Sequence, residues 1–370
     1  AQPFDPEGDA SQLQKALQNA TNTGKPVTLS GTYFIDKEIK VVLRNNLTVK
    51  ANNAEFIATN KLDGDLFGLD AHKKKSFTCG DHGEITIKWL GGKMNIAKAK
   101  VSQVVPITKM TPDGRTGKMK TGDALSIRGY QKGFQKVKHV HIEGIKVTGT
   151  LNDNDPFYLA GGDSGILMSG ARSATITGNE FYGIRDAGIY VTASGKDGEI
   201  GDNFIITNNI IERAYDGITS KRGADKITMK NNKISDTAVG LSIKHLFKGR
   251  TSHDANISDN IIINSVRAIS LERVTNANVT NNQISQIGGV FANTPTPINA
   301  RGRHYEAIGL DGTQGDVKIT GNIISGVEGE RAKSTTTYGI VSRSYDGRKT
   351  TKYVESNNRF SALDENHAQL

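Results

Sequence analysis

From about residue 138 onward, apolar and polar residues alternate in short runs that return in one form. "TITGNEF" (175–181), "IITNNII" (205–211), "ITMKNNKI" (227–234), "NISDNIII" (256–263), "NVTNNQI" (278–284), "KITGNII" (318–324) and "YVESNNRF" (353–360) each alternate, reach an Asn and resume with a short segment. The final asparagines, Asn179, Asn209, Asn232, Asn260, Asn282, Asn322 and Asn358, are 22 to 40 residues apart. That is close to one coil of a solenoid plus loops of varying length. A second repeat lies between them: "GILMS" (165–169), "GIYVT" (188–192), "GITSK" (217–221), "GLSIK" (240–244), "AISLE" (268–272), "AIGLD" (307–311) and "GIVSR" (339–343). Alternation is the period of a strand, whose successive side chains face opposite sides. Ile166, Ile189, Ile218, Leu241, Ile269, Ile308 and Ile340 are therefore predicted to stack inside, with the asparagines hydrogen-bonded along the turns. Each coil would cover the edge of its neighbour, which predicts an all-β, right-handed parallel β-helix. A β-propeller is disfavoured: the period is short for a blade and no blade motif is present.

The period changes at the N-terminus. "DASQLQKALQNATNTG" (9–24) puts Leu13, Ala16, Leu17 and Ala20 on one helical face and stops at Gly24, which predicts a helix capping the open end of the solenoid. Residues 91–122 and 286–305 lack periodicity and are read as long loops flanking the groove. The whole chain, 1–370, is expected to be one domain.

Composition adds a charge argument. The 41 glycines and single Trp suit a turn-rich β protein, and no apolar window is long enough for a transmembrane helix. The chain starts "AQPFDPEGD", read as a mature secreted or periplasmic protein. Cys79 stands alone, so no intramolecular disulfide or cysteine metal site is expected. A formal charge of +9 and a pI near 9.3 point to a polyanionic partner. No nucleic-acid-binding motif is present and basic residues are not interleaved with stacking aromatics, while an acidic polysaccharide fits the charge equally well; charge alone does not separate the two partners. A monomer that binds an acidic polysaccharide, with no nucleic acid or membrane partner, is expected.

Stacking the strands in register lets the outward residues be read as columns. The third position of the motif gives Leu167, Tyr190, Thr219, Ser242, Ser270, Gly309 and Val341. The fifth gives Ser169, Thr192, Lys221, Lys244, Glu272, Asp311 and Arg343, and the next Arg222, His245 and Arg273 among others. Coils lie about 4.8 Å apart, so Tyr190, Lys221, Arg222, Lys244 and His245 gather into one patch. The preceding turns bring Arg185 and Asp186, then Arg213 and Asp216, toward the same face. Single solvent-facing lysines are common, but like charges on neighbouring strands are unfavourable by a few tenths to about 1 kcal/mol. A site accounts for such an arrangement better than the fold does.

Glycoside hydrolysis needs two carboxylates across the bond, and here only Asp216, with Glu272 two coils away, is near a cationic centre. The "NTD", "DD", "GHG" and "RIK" set of polygalacturonases is absent, as is the "DPHD" of C5 epimerases. β-Elimination of a uronate fits better. It needs cations on the carboxylate to stabilise an enolate-like intermediate, a base for the C5 proton and an acid for the leaving oxygen. Crowded cations ease the deprotonation of a lysine, and a tyrosine can serve either role.

"GITSK" followed one coil later by "GLSIKH" resembles the parallel β-helix polysaccharide lyases that cleave alginate and dermatan-type chondroitin. In the chondroitinase B and alginate lyase group a strand of the form "I-T/S-x-K-S" carries the base and "L-T-L-R-H-G" on the next coil carries the acid arginine. The resemblance implies Lys221 as base, Lys244 at the place of the arginine, and His245 at the following histidine. That group binds calcium through two acidic residues before the lysine. Here Asp216 stands at one place and Ala214 at the other, so no cofactor is expected and Arg185, Arg213 or Arg222 would neutralise the substrate carboxylate. The "FDPEGD" near the start and the calcium-poor cationic groove are more similar to the smaller alginate lyases of polysaccharide lyase family 31, which implies Tyr190 as the partner of Lys221. Arg273 and Glu272 complete the expected substrate-binding set. The alternative is a non-catalytic polyanion-binding β-helix, an adhesin or phage-type recognition module. Arg267, Arg273, Arg303 and Arg343, which spread charge along the coils, favour it.

Overall fold

The computed structural model describes residues 8–72, 85–100, 122–129, 137–151, 163–192, 201–245, 251–287, 304–327 and 336–370. Among them, 27 strands pair in parallel with strands of adjoining coils, those of the first and last coils on one side only. The result is a right-handed parallel β-helix. The predicted interior column is in register from end to end: Ile166 pairs with Ile189, then Ile218, Leu241, Ile269, Ile308 and Ile340. All of these are fully buried. Burying each such side chain is worth about 1.5–3 kcal/mol.

The turns follow from a two-residue code. From Asn179 to Asn322 the second residue of each repeat donates its Nδ2 and its backbone N to the Oδ1 of the equivalent asparagine on the next coil, and Asn358 closes the column as the last acceptor; these bonds measure 2.9–3.1 Å. The residue before it takes positive φ: Gly178, Asn208, Asn231, Asp259, Asn281, Gly321 and Asn357. Gly, Asn and Asp are the residues that tolerate this region. The first asparagine or its substitute thus makes the corner, and the second links the coils.

Helix α1 (Gly8–Thr23) buries Ala10, Leu13, Leu17 and Ala20 against the first coil, and Gly24 ends it at φ +70°. Ala16 is only half-buried. The polar side chains of α1 saturate the exposed strand edge, with Asp9, Gln14, Gln18 and Thr21 accepting from the backbone N–H groups of Phe34, Lys40, Val42 and Arg44. An edge strand left open would invite pairing with another chain.

The segment read as a loop from residue 91 begins otherwise. Lys93–Asn95 is a strand paired with Glu55–Ile57 and Lys146–Thr148, too short to show a period in sequence. Residues 101–121 lie outside the described residues. In the second segment, Gln286 and Ile287 end one strand and His304 and Tyr305 begin another, with 288–303 outside the description. No helix among the described residues is long and apolar enough to cross a membrane.

Candidate functional site

The strand segments that end at Thr192, Lys221, Lys244 and Glu272 lie side by side. Gly217 sets the bend of its coil: a Cβ there would stand 2.4 Å from the Gly240 carbonyl, so only glycine permits the approach. Lys221 pairs in register with Thr192 on one side and Lys244 on the other, and Tyr190 pairs with Thr219. The expected columns therefore exist, but their centre at Thr219, Ser242 and Lys221 is covered, while Tyr190, Lys244 and Glu272 are half-buried. Thr219 and Ser242 are 0% exposed, and Lys221 is 6% exposed. Ser242 Oγ donates to Thr219 Oγ1 at 2.9 Å. These short side chains form a polar floor between two rows of longer ones, and alternation in sequence reports direction rather than exposure.

Tyr190 and Lys221 meet. Lys221 Nζ lies 4.4 Å from the centroid of the Tyr190 ring, within cation–π range. Lys244 does not remain a second uncompensated cation, because its Nζ donates to both oxygens of Asp216 at 3.2 and 3.0 Å. Asp216 is 3% and Lys244 20% exposed at the side chain, so the ion pair is largely buried on the carboxylate side. The juxtaposed lysines thus have a structural compensation that strand pairing alone did not reveal. A further carboxyl joins them. Burial lifts Asp186 to about 6; Lys221 and Lys244 oppose the rise, while Asp216 and Asp163 reinforce it. Asp186 titrates among the two lysines and belongs with the site, although it was absent from the expected set of functional residues.

The remaining expected residues divide. Arg222 follows Lys221 directly, at φ +70°, and donates its backbone N to the Lys244 carbonyl at 3.3 Å. Arg185 reaches the Thr150 carbonyl with Nη2 at 3.4 Å and donates its backbone N to Asp163. Arg213 occupies a left-handed corner (φ +59°) at the other end of the Ile210–Lys221 strand, apart from the segment that carries Lys221. His245, Glu272 and Arg273 form their own group: Glu272 accepts from the His245 backbone N at 3.0 Å, and Arg273 pairs with Asp346 at 3.0 Å. The Tyr345–Asp346 turn that completes this group was not anticipated; its Asp-Gly pair was the available signal. Two coils along, Arg343 bridges Glu306 and Asp311, while Arg267 and His304 also face Glu306. Although burial works the other way, the His304 hydrogen bond and the two arginines hold Glu306 below its usual range, whereas burial lifts Asp311 to about 6.

Toward the N-terminus the same face becomes acidic. Asp65 Oδ1 accepts from the Asp123 backbone N at 2.8 Å, Asp123 Oδ1 from Ser164 N at 2.9 Å, and Asp163 from Thr150 and Arg185. Burial pushes Asp65 up to about 7 and Asp123 well above its ordinary value. Among the described residues, no group of three or more His, Cys, Asp or Glu is arranged to hold a metal ion. The positions expected from the sequence resemblance to hold calcium do not fit one: both Asp216 oxygens accept from Lys244, and Ala214 offers no ligand.

Comparison with known proteins bears on this fold. A family profile described as right handed beta helix region matches residues 130–324. No curated protein matches the sequence. Among solved structures, a surface adhesin of Streptococcus pneumoniae, PfbA, is similar with 13% identity over 98% of this chain and 90% of its own, at a TM-score of 0.52. The A-module of mannuronan C-5 epimerase AlgE4 of Azotobacter vinelandii is 13% identical over 97% of this chain and 93% of its own, at 0.48. The tailspike protein of Escherichia coli bacteriophage HK620 is 9% identical over 100% and 75%, at 0.49. At these identities the likeness is one of fold.

Proposed function

The chain belongs to the right-handed β-helix family, and we propose that it is a polysaccharide lyase that cleaves a uronate polymer, alginate first among them, by β-elimination. The observation that carries this reading is the Tyr190–Lys221 pair, an amine and a phenol on adjacent coils with Lys221 Nζ 4.4 Å from the ring centre. Such a pair holds both groups that elimination needs. Lys221, as the neutral amine, takes the C5 proton. The C5–H electrons form the C4–C5 double bond as the C4–O4 bond breaks, and O4 leaves with a proton from the Tyr190 hydroxyl. Lys221 then returns its proton to Tyr190, and no redox partner is involved. Arg222, next to the base, and Arg185 would stabilise the charge that builds on the carboxylate. Lys244, fixed on Asp216, is assigned to hold the electrostatic balance of the site rather than to donate the proton. On this reading the protein acts outside the cytoplasm, secreted or periplasmic, and as a monomer.

A non-catalytic polyanion-binding β-helix is the second reading, favoured by the engagement of Lys244 with Asp216 and by Arg267 and Arg343 farther along the face. Incubation with polymannuronate, polyguluronate and other uronans, followed by the ultraviolet absorbance of unsaturated ends, separates the two. The lyase reading expects absorbance to rise on at least one uronan, and not with Lys221→Ala. Salt-sensitive binding with no product from any of them would overturn it in favour of the binder.

A further inference from the structure

One flank of the candidate site is made by a segment from the far end of the chain. Tyr345 and Arg348 exchange backbone hydrogen bonds, each of 2.9 Å, around a tight turn. Its two central residues, Asp346 and Gly347, have φ of +47° and +72°. Two left-handed residues of this type define a two-residue turn of the primed class. The turn reaches across the coils to the strand end that follows Lys244. Tyr345 Oη donates to the His245 carbonyl at 3.3 Å, and the two rings meet edge to face with centroids 6.5 Å apart. Asp346 accepts from Arg273 Nη1 at 3.0 Å, and the same Nη1 stands 3.4 Å from His245 Nε2.

A guanidinium nitrogen donates and never accepts. Nη1 carries two hydrogens; Asp346 takes one, and the other faces the ring, so His245 Nε2 must present its lone pair. We propose that the Tyr345–Arg348 turn is a positioning element: through Arg273 it holds His245 as the neutral imidazole with its proton on Nδ1. That tautomer makes the buried Nδ1 a hydrogen-bond donor inside the protein, beside Lys244 at the edge of the patch. Among the described residues, the charged and titratable groups around the ring include Lys244 beside it in sequence, Glu272 on its backbone N, Arg273, and Tyr345 with Asp346 from the turn. Burial and the neighbouring Glu272 push Tyr345 up to about 12, so its hydroxyl stays a donor.

The inference goes beyond the lyase reading and is tested without substrate. Nitrogen NMR of the full chain labelled at histidine, at about pH 8.5, reports neutral imidazoles, and loss of one signal set in His245→Gln assigns the residue. In the wild type the Nδ1–H tautomer of His245 should dominate. In Asp346→Gly, which keeps the left-handed turn, and in Arg273→Gln, the majority should move to Nε2–H, the form water favours, with the other histidines unchanged. A wild-type His245 protonated on Nε2, or an Nδ1–H form that persists in both variants, would overturn the proposal.

Discussion

Two edges of every coil obey different rules. Along the asparagine edge, seven coils repeat one residue, the first six each donating to the next, and all but the last of these asparagines are fully buried. Along the strand edge, the position two before the interior residue reads Ala187, Asp216, Val239, Arg267, Glu306 and Tyr338 in register. A column that repeats is answering to the coil, which is the same at every level. A column that changes is answering to something outside the coil, and here it changes around Lys221.

The largest expected effect breaks that contrast on its functional side. Lys221→Ala should lower kcat/KM on the responsive uronan by about 10²–10⁴-fold, the usual reach of a general base, with steady-state kinetics as the check. Asp216→Ala should come next. It leaves the partly buried Lys244 without its partner, at a cost below the roughly 3–5 kcal/mol of a fully buried pair in denaturant unfolding, and the double variant Asp216→Leu/Lys244→Met should recover most of it. On the scaffold side, Asn232→Ala removes the acceptor of two Asn209 donors and the donor to the Ile206 carbonyl. Each orphaned group costs about 1–3 kcal/mol, and unfolding should register this while kcat/KM of the folded fraction stays near wild type.

Acidity sharpens the contrast further. A carboxyl raised in the folded state holds its proton more tightly folded than unfolded, so stability is fullest below about pH 4 and declines as pH rises through the folded pKa. Asp186 and Asp311, both raised to about 6, and Asp65, raised to about 7, place that decline between about pH 4 and 7. Glu306, held below its usual range, acts in the opposite sense and loses its contribution in acid. Asp186→Asn should flatten the thermal midpoint between about pH 4 and 6 relative to wild type. The smallest effect concerns Arg222, at φ +70° where Gly170 and Gly312 occupy equivalent corners. Arg222→Gly should raise stability by about 1 kcal/mol through relief of the left-handed strain, while weakening uronan binding.

The scaffold was legible because it is periodic. Asn179 to Asn358 and Ile166 to Ile340 announced both the coil and the register, and the register placed Lys221 beside Lys244 and one coil from Tyr190. What stayed hidden is what register cannot carry. Nothing in "GLSIK" shows that Lys244 is spent on Asp216, because that pair joins residues 28 positions apart through side-chain reach. The burial of Thr219 and Ser242 was hidden too, since alternation gives a side and not its cover. The contact of Tyr345 with His245 spans 100 positions and depends on a turn outside the repeat.

The central claim is that chemistry sits at Lys221, on the varying edge, while the asparagine edge is scaffold. A crystal structure of Lys221→Ala with an oligouronate bound tests it most directly. The account predicts a sugar ring with C5 facing the vacated lysine position, O4 toward Tyr190 and the carboxylate toward Arg222. A saccharide bound elsewhere on the solenoid, with residues 190, 221 and 222 untouched, would contradict it.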